Sequence, residues 1–306
     1  MSKTSKKHHG STSHKPRKAT AADWISGARI RTLPLAFAPV AIGSGAAAIT
    51  DQFKAPVALL CLVVALALQI GVNYSNDYSD GIRGTDNYRV GPARLTGSGA
   101  ADPKKVLAVA LTFFALSAVA GVIIVILTSA WWMLAIGAVA IVAAWFYTGG
   151  RRPYGYAGLG EVMVFIFFGL VATVGTTFVQ TGAFSQESLF GGIGIGLISC
   201  AVLVVNNIRD IETDKLAGKK TLAVRMGRTP SAVLFCFLMI LPFGIVIYFG
   251  LFYSAAFLTL FALLAALPAC LITLTAKTPQ EYILALKLSS LTGLLYGLGL
   301  AFAFFG

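Results

Sequence analysis

Long uncharged stretches decide what this chain can fold into. The segment VALLCLVVALALQIG, Val57 to Gly71, carries no ionisable side chain, and runs of the same character recur along the sequence. A helix needs about 20 such residues to cross ~30 Å of hydrocarbon. The reading places nine spans, at roughly 33–50, 55–75, 105–128, 130–148, 159–181, 188–206, 231–250, 252–275 and 285–305. With 57% hydrophobic types and only 12% charged residues in 306, the alternative of one very large soluble core is set aside. The expected fold is all-α: a polytopic membrane protein with nine transmembrane helices, two four-helix halves plus a ninth.

The basic residues give an independent check. With the N-terminus in the cytoplasm, 23 of the 24 Lys and Arg fall on the cytoplasmic side and only Lys54 does not. That is the asymmetry expected of membrane loops, and it places the C-terminus outside, in the cell membrane. The net charge of +12 therefore belongs to loops and tail, not to a nucleic-acid surface. Residues 1–23 read as a disordered basic tail able to touch anionic lipid, with residues 24–306 as the transmembrane domain. No apolar stretch follows the first charges, so the tail is not a signal peptide. Its His8, His9 and His14 read as solvated. Cys61, Cys200, Cys236 and Cys270 each lie in an apolar span without paired spacing and read as packing residues. GGIGIG at Gly191–Gly196 imitates a dinucleotide fingerprint, but no strand precedes it and close helix packing explains it.

Six of the twelve acids fall in two short stretches: Asp77, Asp80 and Asp86 after the second span, and Asp210, Glu212 and Asp214 after the sixth. Both stretches lie on the cytoplasmic side. If the spans continue as helices, Asn76 and Asp80 share a face, Asp77 and Asp80 nearly do, and Asp210 and Asp214 do likewise. Carboxylates so placed repel unless a cation stands between them. Oxygen ligands without His or Cys point to Mg²⁺, which is commonly completed by phosphate oxygens. Arg83, Arg151, Arg152, Arg209, Lys215, Lys219 and Lys220 lie in the same loops, ready to hold a diphosphate.

These motifs resemble those of the UbiA-type intramembrane prenyltransferases. Asn76, Asp77 and Asp80 match the family's NDxxDxxxD, with Gly84 where the last acid often stands and Asp86 two residues beyond; Asp210 and Asp214 match DxxxD. The blocks GARIRTLPLAFAPV, NDYSDGIRGTDNYRVGPARLTGSG, YTGGRRPYGYAGLGEVMVFIFFG and NNIRDIETDKLAGKKTLAVRMG are most similar to the branch acting on 1,4-dihydroxy-2-naphthoate. The resemblance implies transfer of a prenyl group from polyprenyl diphosphate to that acceptor in menaquinone synthesis. It further implies two Mg²⁺ held by Asn76, Asp77, Asp80, Asp86, Asp210 and Asp214, with the tail in membrane lipid and the active site at the cytoplasmic helix ends.

Within that expectation Asp80, Asp210, Arg83 and Tyr147 are the catalytic candidates. Tyr147, like Tyr74, Tyr78, Trp145 and Phe165, is an aromatic able to face an allylic cation. Glu161 opens the fifth span and either orients Arg151 or Arg152 or faces the acceptor. Arg29 or Arg31 is the expected partner of the acceptor carboxylate. Gly84 is expected to end the second helix and turn Asp86 back toward the metal, or to order Arg83 against diphosphate. Other acceptors (4-hydroxybenzoate, homogentisate, haem, a chlorophyllide) are the alternative. A secondary transporter fits less well, since spans 3, 4, 7, 8 and 9 hold no acid. Cysteines introduced at Gly182 and Gly218 should react with an impermeant thiol reagent from opposite sides of the membrane; same-side labelling would remove one span.

Overall fold

The computed structural model describes residues 17–88 and 94–306, which leaves most of the basic tail, its three histidines and the middle of the loop after Asp86 outside the described residues. Every regular element among the described residues is helical. In chain order they are α1 Ala21–Gly27, α2 Pro34–Ala48, α3 Ala55–Ile82, α4 Pro103–Thr128, α5 Met133–Phe146, α6 Gly160–Thr181, α7 Gln186–Arg209, α8 Ile211–Leu216, α9 Leu222–Met226, α10 Arg228–Gly250, α11 Ser254–Thr275 and α12 Pro279–Phe305.

Seven of these (α3, α4, α6, α7, α10, α11 and α12) are long and apolar enough to cross a membrane. The first and fourth expected spans are helical but shorter. α2 has 15 residues and is bent by 46° from the helical segment Ala21–Thr32 before it, with Pro34 restarting the helix after Leu33; that earlier segment is itself broken at Arg29, in the left-handed region (φ 54°, ψ 54°). α5 has 14 residues, about 21 Å at 1.5 Å per residue, so it falls short of a full crossing by itself. α1 opens before the boundary drawn from composition: Thr20 and Asp23 form a reciprocal cap, and Arg17 pairs with Asp23 at 2.8 Å.

α3 packs along α4, and α12 lies against α2 and α7. The buried centre gathers Ile42, Ile195, Ile198, Phe235, Phe249 and Tyr296. The outer surface is apolar as well: Leu127, Leu251, Phe261 and Leu264 are each at least 60% exposed, a surface that lipid rather than water can cover. The cysteines are free and at least half-buried. The glycine run of α7 is packing surface: Gly196 faces Gly169 of α6, Gly191 faces Ile42 and Gly194 faces Tyr296. Across the Gly169 crossing, α6 adopts π-helical turns over Phe165–Val171.

Polar side chains on α3 fasten the segment before α2. Gln69 donates to the Thr32 carbonyl at 2.7 Å, Asn73 to that of Ala28 at 2.9 Å, and the Tyr74 hydroxyl to that of Trp24 at 2.5 Å. Residues 17–33 thus form a hook laid over one end of the helices, and α3 carries a polar stripe continuing into Asn76 and Asp80.

A Cβ added at Gly43 would lie 2.4 Å from the Thr173 carbonyl oxygen, which α6 cannot withdraw cheaply. Gly43→Ala should cost about 1–3 kcal/mol and lower the melting temperature in detergent, whereas Gly137→Ala on α5, with nothing within 4 Å of the new Cβ, should not destabilise.

Candidate active site

α3 outlasts its apolar part by two turns and ends where Gly84 takes φ 73°. On those turns Asn76, Asp77 and Asp80 are 5%, 3% and 1% exposed. Asn76 and Asp80, four residues apart, face a polar cavity of about 100 Å³. Asp77 lies about 100° round the helix from Asn76 and about 60° from Asp80, and its two oxygens accept the backbone N–H groups of Leu95 and Thr96, at 2.9 and 2.8 Å. Thr96 can approach because Gly81 has no side chain; a Cβ there would sit 2.3 Å from Thr96 Cγ2. The left-handed turn at Gly84 returns Asp86 to the same cavity.

The opposite wall comes from the α7–α8 break. Asp210 leaves helical geometry at φ −97°, ψ 7°, yet the Asp214 N–H still reaches its carbonyl at 2.8 Å, and both carboxylates line the cavity. Arg209 grips Asp210 side-on, Nε to Oδ1 at 2.8 Å and Nη2 to Oδ2 at 2.6 Å. Lys219, placed by a turn at Gly218 with φ 72°, holds its ammonium 3.1 Å from Asp80 Oδ2 and 3.9 Å from Asp214 Oδ1, 4.6 Å above the centre of the Tyr156 ring. One cation therefore joins the two acidic helix ends.

Two further groups complete Asp80. The Tyr156 hydroxyl donates to Oδ1, and Arg94 Nη1 reaches Oδ2 at 2.6 Å, the Asn76 carbonyl at 2.9 Å and Asp86 Oδ1 at 3.5 Å. Burial, reinforced by the Asp80 charge, pushes the Tyr156 phenol well above the ordinary tyrosine range, so it stays a donor at any physiological pH. Thr148 donates to Asn76 Oδ1 at 2.6 Å. Tyr147, Asn206 and Asn207 also face the cavity.

A second cavity of about 190 Å³ adjoins the first, sharing Arg29, Arg94, Leu203 and Asn206 with it. Leu35, Phe168, Val202 and Leu286 give it apolar walls, and Arg31 and Arg209 add positive charge. The left-handed Arg29 stands where the two meet.

A sequence profile of the UbiA prenyltransferase family matches residues 36–281, from α2 to the start of α12, and so covers both acidic helix ends. The chain belongs to the UbiA prenyltransferase family. It is 51% identical over 258 residues to the 1,4-dihydroxy-2-naphthoate octaprenyltransferase of Mycobacterium tuberculosis, covering 84% of this chain and 83% of that protein. It is 39% identical over 210 residues to the protein of the same name from Escherichia coli, covering 67% and 68%. A solved UbiA homolog from Archaeoglobus fulgidus, bound to GPP and Mg²⁺, shares the fold with a TM-score of 0.64 at 14% identity, over 92% of this chain and 99% of that one.

The UbiA site gathers Asn76, Asp80, Asp86, Asp210, Asp214, Lys219 and Tyr147, but not every residue expected from sequence. Lys215 is half exposed and pairs with Glu212 at 3.4 Å, because α8 turns it outward. Arg151 and Arg152 are exposed and lie outside both cavity linings. Arg83 donates to the Thr148 and Gly150 carbonyls, tying the end of α3 to the turn after α5 instead of lining the cavity. Glu161, 8% exposed, accepts from Asn207 Nδ2 at 3.0 Å, so its side-chain partner is Asn207 and not Arg151 or Arg152. Arg94, Tyr156 and the two asparagines were missed. The Asn206–Asp210 spacing, which repeats Asn76–Asp80, could have flagged one of them.

The donor set fits a hard divalent cation: every acid in it offers oxygen, and the Lys219 ammonium already bridges Asp80 and Asp214. Among the described residues no three acids converge on one point, since Arg94, Lys219 and Arg209 are interleaved with them.

If Glu161 matters as an acceptor for Asn207, Glu161→Gln should melt within about 0.5 kcal/mol of wild type, while Glu161→Leu should lose about 1–3 kcal/mol; equal melting temperatures would remove that role.

Proposed function

We propose that this chain transfers a polyprenyl group from polyprenyl diphosphate to 1,4-dihydroxy-2-naphthoate in a Mg²⁺-dependent reaction. The observation that carries the reading is the meeting of two acidic helix ends around one cation, beside an apolar cavity edged with arginines. The name shared by the relatives supports the acceptor. The C–O bond to diphosphate breaks, the allylic carbon bonds to the ring carbon bearing the carboxylate, and CO₂ leaves from that carbon with its bonding pair returning to the ring, so both hydroxyls remain in the demethylmenaquinol skeleton.

Asn76, Asp80 and Asp86 would hold one Mg²⁺, and Asp210 and Asp214 a second. When bound, Mg²⁺ neutralises charge on the departing diphosphate. Lys219 and Arg209 supply positive charge at the same place. Tyr147 offers a ring face to the allylic carbon. The apolar walls at Leu35, Phe168 and Val202 exclude water from it. Arg29, where the cavities meet, or Arg31, along the larger one, pairs with the acceptor carboxylate. The basic residues of the loops support a cytoplasmic face for this end of the molecule in the cell membrane, where diphosphate and acid would arrive from water while the polyprenyl tail lies in lipid.

Asp80→Asn and Asp210→Asn should each leave less than about a tenth of wild-type turnover, and Asp80→Asn, which takes a buried charge from Arg94 and Lys219, should also lower the melting temperature. The assay supplies labelled polyprenyl diphosphate, Mg²⁺ and in turn 1,4-dihydroxy-2-naphthoate, 4-hydroxybenzoate and homogentisate, with extraction of product into organic solvent. Label recovered only with 4-hydroxybenzoate or homogentisate would replace the naphthoate assignment.

A further inference from the structure

Arg94 lies in a loop after α3 and was not singled out by its sequence neighbourhood. Its side chain is 11% exposed, lines both cavities and sits on two of the site's carboxylates through a single nitrogen, Nη1. The opposite edge of the guanidinium is different. Nε is buried and has no hydrogen-bond partner among the described residues. A buried donor left unpaired costs about as much as a lost hydrogen bond, and a guanidinium presents Nε–H beside a parallel N–H, a fork that matches two oxygens of one anion. The residues that follow Arg94 are also held in place. Asp77 fixes the N–H groups of the two residues that follow Arg94, and Gly97 lies so close to Asp86 that an added Cβ would be 2.5 Å from Asp86 Cβ.

We propose that Arg94 binds the diphosphate through its Nε edge while its Nη1 edge stays on Asp80, and that Asp77 is the positioning residue that holds Arg94 there. This rests on the prenyl-transfer reading above. Diphosphate is favoured over the acceptor carboxylate because Arg94 is anchored on Asp80 and Asp86, in the cavity that also holds Lys219. Lysine cannot present the fork, so the charge alone should not suffice.

The test measures binding of inorganic diphosphate in the presence of Mg²⁺ by calorimetry on the detergent-purified protein, alongside KM for both substrates. Arg94→Lys should weaken diphosphate binding by roughly 10- to 100-fold, raise KM for polyprenyl diphosphate in step, and leave KM for the naphthoate within about twofold. Asp77→Asn should shift diphosphate binding the same way by a smaller factor and leave Mg²⁺ affinity unchanged, which a metal ligand would not do. Unchanged diphosphate affinity in Arg94→Lys, or a defect confined to the naphthoate KM, overturns the proposal. Should Arg94→Lys fail to fold, unchanged diphosphate affinity in Asp77→Asn overturns it equally. Wild-type protein that binds diphosphate but transfers no prenyl group would sink the reaction while leaving Arg94 as the diphosphate ligand.

Discussion

Everything at the active end depends on keeping Asp80 charged where almost no water reaches it. A lone carboxylate there would cost several kcal/mol, and the chain answers with three partners drawn from three separate loops: Arg94, Tyr156 and Lys219. Removing one partner of a buried pair costs about 3–5 kcal/mol, so the contacts around one side chain weld the loop after α3, the turn at Tyr154–Ala157 and the turn at Gly218 into one rigid floor. The fold is apolar packing almost everywhere else. Here it is held by charge.

That floor explains why the acids are not gathered into a bare cluster. Each of Asp80 and Asp210 has an arginine on it, and Lys219 spans the gap. The carboxylates are therefore held apart in fixed rotamers, with the arrangement bought by side chains that are themselves able to meet phosphate oxygens. The second cavity depends on the same end of α3, because the hook that closes it is pinned by Gln69, Asn73 and Tyr74.

Much of this was legible in the sequence, and the parts that were not share a cause. The acidic pairs, the helix-ending Gly84 and the packing glycines of α7 could be read because each depends on spacing along one helix. Asp77 could not be separated from Asp80 by spacing alone: which of the two cavities an acid faces, and whether it is taken up by a neighbouring backbone, depends on the loop that folds over it, and that loop's contacts with Gly81 and Asp86 are non-local. Lys215 and Lys219 look interchangeable in the sequence, yet the turn at Gly218 sends one to Asp80 and leaves the other at the surface. Hydropathy likewise draws the first and fourth spans longer than α2 and α5, since it counts apolar residues and does not see that α2 closes at Ala48 or that a turn at Trp131–Trp132 precedes α5.

The polar stripe of α3 also fixes an order of assembly. Its last four turns carry Gln69, Asn73, Asn76, Asp77 and Asp80, and each acid placed deep in hydrocarbon would cost up to about 3 kcal/mol. Alone, the helix would settle with that half held out at the interface. Its partners lie on both sides in the chain: the hook is made before it, Leu95 and Thr96 after it, and Lys219 much later still. These contacts can close only once all of these segments have been synthesised and folded back, so the catalytic end is completed late although α3 itself is made early.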